Sequence, residues 1–173
     1  MPKVGQAFPI FTRTGLPVYV GGEEKKMKIR TYKAQTKWIE GTKLETEIRE
    51  FKVSIDEPLE LRGTNTAPNP VEMLLAALGG CVLLTYRGYA RKFKIDIKDL
   101  VIDLEGDMVA GGWVDEEGKE RRSFKEIRYK IKIKTEAPEE EVRKLHKLVE
   151  EKCPVSDMLI NPTKVKGIVA LAN

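Results

Sequence analysis

Asn69-Pro70-Val71-Glu72-Met73-Leu74-Leu75-Ala76-Ala77-Leu78-Gly79-Gly80-Cys81 is the stretch on which the fold turns. Its opening is a helix start. Asn69 suits the cap, Pro70 the first helical position and Glu72 the third, where a carboxylate can reach back to the cap. The run stays apolar through Val82-Leu83-Leu84-Thr85-Tyr86 and is hydrophobic on nearly every face. Such a helix belongs in the centre of a domain or of an oligomer. Gly79 and Gly80 each cost about 1 kcal/mol against Ala in a helix interior, a cost that close approach of another helix would offset.

Downstream, strands are expected over residues 94–105 and 123–135. In the second, Tyr129, Ile131 and Ile133 alternate with Arg128, Lys130, Lys132 and Lys134. One solvated face gives this pattern; a basic recognition stripe is the rival reading. Between them, Ala110-Gly111-Gly112-Trp113 and Asp115-Glu116-Glu117-Gly118 form a hairpin tip. Pro138 opens a second helix, Glu-rich in its first turn, with Val142, Leu145 and Val149 on one face. It ends near Cys153-Pro154, residues 155–160 add one or two turns, and residues 163–171 read as a last strand.

Upstream, polar and apolar residues alternate over 27–38 and 44–55, as in half-buried strands. Residues 56–69 are loop by their Pro, Gly and Asn content. Residues 1–27 read as an N-terminal extension in which Phe8, Ile10, Leu16, Val18 and Val20 could form a hairpin. With no internal repeat and no linker, residues 28–173 read as a single α+β domain.

The chain has 173 residues, 41% hydrophobic and 34% charged, with 31 basic and 27 acidic side chains. The two signs nearly cancel, which points to a surface laced with ion pairs and away from nucleic acid. The single histidine, His146, excludes multi-histidine metal sites within one chain, and two cysteines exclude a four-cysteine zinc site or a disulfide framework. No apolar run is expected to reach the roughly 20 residues that span a bilayer, and no signal-peptide core opens the chain. A soluble, cytoplasmic protein is the expectation. Glutamine occurs only at Gln6 and Gln35 while Lys and Glu dominate the polar set, a composition seen in thermophiles.

Candidate chemistry rests on Cys81 and Cys153. A cysteine in an apolar helix is commonly a small core hydrophobe, and a helix C-terminus such as that at Cys153 does not favour a thiolate. The two could still meet as a redox pair. His146, on the second helix, reads as outward-facing and about 10 Å from Cys153, too far for a hydrolase dyad. Asp56-Glu57 and the acidic hairpin tip read as solvated turns.

The 69–81 stretch resembles the segment leading into the reactive cysteine of the OsmC/Ohr family, the osmotically inducible and organic-hydroperoxide-resistance proteins. Cys153-Pro154-Val155-Ser156 is similar to that family's second motif, and Gly63-Thr64-Asn65 falls in matching order. The resemblance covers roughly residues 28–171, on the broad OsmC-like branch. It implies an intertwined homodimer with antiparallel sheets wrapped around long central helices, and no cofactor. It also implies a thiol-dependent peroxidase. Cys81 would be the peroxidatic cysteine attacking an organic hydroperoxide, and Cys153 the resolving cysteine that closes a disulfide. A dithiol or lipoylated reductant would reopen it. An OsmC-like redox sensor or stress protein with another substrate, and a non-catalytic dimeric binding protein, are the alternatives.

In the family an arginine, oriented by a glutamate, holds the thiolate. This chain carries Val71 at the glutamate's position, with Glu72 beside it. Nine helical residues turn through about 900°, so Glu72 and Cys81 point to opposite sides, about 13 Å apart along the axis. Glu72 is therefore either a helix cap or an orienting carboxylate supplied by the partner chain. Arg62, beside Gly63-Thr64-Asn65, is the favoured arginine and Arg49 the alternative.

Overall fold

The computed structural model describes residues 8–11, 17–20, 29–161 and 163–171. Strands β1 (Phe8–Phe11) and β2 (Pro17–Val20) pair antiparallel. β3 (Gln35–Glu40), β4 (Lys43–Ile48) and β5 (Phe51–Ile55) form a three-stranded antiparallel meander. The alternating run 44–55 is thus two strands broken at Arg49-Glu50, where Arg49 takes a left-handed φ of 56°.

Helix α1 (Pro70–Ala90) starts as its sequence dictates. Asn69 Oδ1 accepts from the Glu72 N–H at 2.9 Å, and Glu72 Oε2 accepts from the Asn69 N–H at 2.8 Å. One face of α1, carrying Leu78, Gly79, Val82, Tyr86 and Ala90, is buried. It packs on β6 (Asp99–Met108), which pairs antiparallel with β9 (Phe124–Lys134). Leu100, Ile102 and Leu104 of β6 and Ile127, Ile131 and Ile133 of β9 face this core. Their polar neighbours face out, where Lys132 Nζ meets Asp103 at 2.7 Å and Arg128 is bound by Asp107 and Glu105. The cationic stripe on β9 is neutralised by its acidic neighbour strand. A short ribbon of β7 (Trp113–Val114) and β8 (Glu120–Arg121) caps the pair. Helices α2 (Glu139–Lys152) and α3 (Pro154–Ile160) close the other side of α1, through Leu145, Val149 and Cys153.

Four expectations need correcting. Residues 70–93 do form a helix long and apolar enough, by length and composition, to cross a membrane. Its buried face on β6 and α2 is that of a core helix. That helix is not buried all round: Leu84 on its other face is 72% exposed, and nothing lies within 4 Å of where a Gly80 Cβ would sit. Gly79 is tight against a strand, not a helix, since a Cβ there would come within 2.8 Å of Leu104 Cδ1. Residues 163–171 form no strand, since no described sheet pairs with them; Ile168 is 97% exposed.

The fourth concerns Asp56, which is no solvated turn but fully buried. It accepts from the hydroxyls of Thr42 (2.6 Å), Thr64 (2.6 Å) and Thr66 (2.9 Å), and from the backbone N–H groups of Glu57, Thr64 and Thr66. The carboxylate ties the 57–66 loop to the β3–β4 turn. Gly63 completes the knot, since a Cβ there would lie 1.7 Å from the Glu57 carbonyl oxygen.

Hydrogen bonds from Thr42, then Thr64 and Thr66, hold the Asp56 carboxyl far below the usual carboxylate range. A carboxyl whose pKa falls on folding contributes stability that is complete above its unfolded value, about 3.9, and is lost as pH drops below it. Urea midpoints of wild type should therefore fall more steeply below about pH 4 than those of Asp56→Asn. Parallel pH dependences would contradict this role.

Candidate functional site

Cys81 lies midway along α1, and Cys153 at the corner where α2 ends and α3 begins. Packing of α1 against that corner brings the two cysteines together in one apolar cluster. Both are free thiols. Their burial inverts the sequence expectation: Cys153, read as lying among charged residues, is 1% exposed, while Cys81 in its apolar helix is only half-buried. The charged residues near Cys153 in sequence point outward from α2, and the corner itself turns in beside Leu145 and Val149.

Cys153 is also more than the end of α2. It is the N-cap of α3, with φ −75° and ψ 112°. Burial pushes the Cys153 thiol up, and the adjacent Cys81 sulfur pushes it further. The backbone N–H groups of Ser156 and Val155 at the start of α3 oppose that shift without cancelling it.

A polar cluster that the sequence did not disclose flanks the pair. The Tyr86 hydroxyl, on α1, is hydrogen-bonded to His146 Nδ1 on α2, and the rings stack with centroids 6.0 Å apart. His146 Nε2 lies 3.6 Å from Glu150. Far from facing only outward, the lone histidine ties α2 to the core helix. Burial, then Tyr129 and Glu150, raise the Tyr86 hydroxyl; burial, then Glu150 and Cys153, raise that of Tyr129. A Tyr–His contact 60 residues apart in sequence leaves no local pattern to find.

The other candidates lie elsewhere. Glu72 is committed to the α1 cap. Arg49 stacks over the Phe51 ring at 5.0 Å, in the β4–β5 turn. Arg62 sits in the Asp56-anchored loop with a left-handed φ of 63°, exposed and without an ion pair among the described residues. No arginine within the described chain bonds either sulfur. A cavity of about 740 Å³ opens between α1, α3 and β9, with Leu74, Leu78 and Leu159 on its apolar wall and Arg121, Arg122 and Lys125 at its rim. Neither sulfur lines it, but Leu78, three residues before Cys81, and Ser156, three after Cys153, do. Among the described residues, no cluster of three or more His, Cys, Asp or Glu side chains could hold a metal.

Known proteins share this fold. The sequence profile of the OsmC-like protein family matches residues 63–167, which takes in both cysteines. No curated protein matches the chain. Among solved structures, an OsmC-like protein from Mycoplasma pneumoniae superposes with a TM-score of 0.67 at 21% identity, over 77% of this chain and 89% of that one. An organic hydroperoxide resistance protein OsmC from Legionella pneumophila, described as a predicted redox protein, gives 0.60 at 22% identity, over 78% and 93%. A Vibrio cholerae OsmC-like protein of unknown function gives 0.64 at 15% identity, over 75% and 93%. At these identities the likeness is one of fold.

The Tyr86–His146 bond carries a stability prediction. Tyr86→Phe should cost about 1 kcal/mol in chemical denaturation, the usual net worth of one such bond, while leaving the thiols' alkylation rates unchanged. An unchanged denaturation midpoint would show that the contact contributes nothing.

Proposed function

The chain belongs to the OsmC-like protein family, and from that premise we propose that it is a thiol-dependent peroxidase reducing organic hydroperoxides. The observation that carries this reading is the meeting of Cys81 and Cys153 from two separate elements of the apolar core. A sulfenic acid survives only if a second thiol captures it before further oxidation, and a pre-formed pair supplies that thiol at once.

The Cys81 thiolate attacks the terminal oxygen of the hydroperoxide, the O–O bond breaks, and the alcohol leaves once protonated. Cys153 then attacks the Cys81 sulfenic sulfur, expelling water and closing the disulfide. An external dithiol, such as a lipoylated protein, returns both thiols. Cys81 is the first nucleophile because it is the more open of the two and because burial keeps Cys153 protonated until the second step. The apolar wall of Leu74, Leu78 and Leu159 favours a bulky organic group over hydrogen peroxide, at about 25 cal/mol per Å² buried.

The working unit is a homodimer. The outer face of α1 carries Ala76, Ala77, Gly80 and Leu84, small enough for a second copy of the helix to pack closely. Exposed Trp38 and Phe51 on the β3–β5 sheet, and Val165, Ile168, Val169 and Leu171 in the tail, leave further apolar surface for that copy to cover. Arg62, on its anchored loop, is the arginine available to a Cys81 across that interface. Glu57 Oε2, buried without a hydrogen-bond partner among the described residues, is the carboxylate on the same loop open to hold it. Residues 28–173 act as the one catalytic domain, in a cytoplasm that keeps thiols reduced.

Cys81→Ser should consume no cumene hydroperoxide. Cys153→Ser should complete about one turnover and then accumulate sulfinic acid at Cys81, read by mass spectrometry. Sustained turnover by Cys81→Ser would sink the assignment, and a wild-type chain inert to peroxide would favour the binding-protein reading. Gly80→Leu tests the dimer separately. One chain has room for the new side chain, so loss of solubility and activity together would come from a second copy. A soluble, active monomer by sedimentation would refute the shared interface.

A further inference from the structure

Reopening the disulfide is the step of the proposed cycle that calls on an outside molecule, and the two sulfurs are not equivalent toward it. The inference that follows rests on the peroxidase reading only for its physiological setting. Thiol–disulfide exchange is an in-line displacement: the incoming thiolate approaches one sulfur along the S–S axis while the other departs with the electron pair. The attacked sulfur must therefore be open on the side away from its partner. Cys81 is half-buried, whereas Cys153 is 1% exposed, closed in at the α2–α3 corner beside Leu145 and Val149. Only the first can be reached by a nucleophile carried on another molecule.

Burial works against charge at Cys153. Yet a sulfur that a nucleophile cannot reach is not attacked whatever its charge balance, so access decides the direction.

We propose that the reducing thiol attacks Cys81 Sγ and that Cys153 is the leaving group. In the first exchange the reductant's thiolate bonds to Cys81 Sγ, the Cys81–Cys153 bond breaks, and Cys153 departs as thiolate and takes up a proton. In the second, the reductant's other thiolate attacks its own sulfur in the mixed disulfide, closes its ring and releases Cys81 as thiolate. Two electrons pass from the dithiol to the cysteine pair. Cys153 never carries an adduct, and the last event of the cycle frees the sulfur that meets the next peroxide.

The test uses the full chain oxidised with diamide, which closes the disulfide without calling on peroxidase activity. A brief exposure to 2-mercaptoethanol is stopped with acid, free thiols are blocked with N-ethylmaleimide, and the peptides are mapped. The mercaptoethanol adduct should sit on Cys81, with maleimide on Cys153, in more than about tenfold excess over the reverse arrangement. Equal adducts, or an excess on Cys153, would overturn the proposal, as would failure of diamide to form the intramolecular disulfide. Ellman's reagent gives an independent check: Cys81 in Cys153→Ser should react more than about tenfold faster than Cys153 in Cys81→Ser, and equal rates would again overturn it. A chain that passes both assays yet consumes no cumene hydroperoxide would remove the peroxidase reading alone.

Discussion

The packing of the middle of α1 against the corner between α2 and α3 is the contact on which the rest of this molecule depends. The corner exists because Pro154 cannot continue α2 and is well placed to begin α3, which leaves Cys153 between them as the end of one helix and the cap of the next. Leu145 and Val149, both fully buried, press that corner onto α1. On the opposite side the β6–β9 pair holds α1 through Leu104, whose close approach at Gly79 leaves no room for a side chain. Two cysteines distant in sequence thereby meet in one apolar core.

Much of the framework is legible in the sequence because its determinants are local. The Asn69–Glu72 cap, the alternation of β9 and the apolar face of α2 each depend on residues within a few positions of one another, and all three occur as read. What the sequence hides depends on partners brought from afar. Asp56 looks like a turn residue until Thr42, Thr64 and Thr66 surround it. His146 looks exposed until Tyr86 reaches it. Residues 163–171 carry a strand's composition, but a strand is a relation between two segments, and among the described residues none pairs with them. The relative burial of the cysteines was inverted for the same reason: neighbours in sequence described the helix surfaces, whereas neighbours in space decided access.

The apolar character of α1 is only half spent within one chain. Its inner face holds the core, and its outer face, with the β3–β5 sheet and the tail, presents apolar groups to solvent. Cys81 lies on the same helix, half-buried. A second copy that covers the outer face would also shape the approach to that sulfur. The loop that carries Arg62 is anchored through the buried Asp56 carboxylate.

The most direct measurement of whether this core is a redox pair is peptide mapping of the reduced chain after one equivalent of cumene hydroperoxide without any reductant. The account predicts that both thiols are lost together and that a single species links the Cys81 peptide to the Cys153 peptide. Oxidation confined to Cys81 with Cys153 still free, or survival of both thiols, would contradict it.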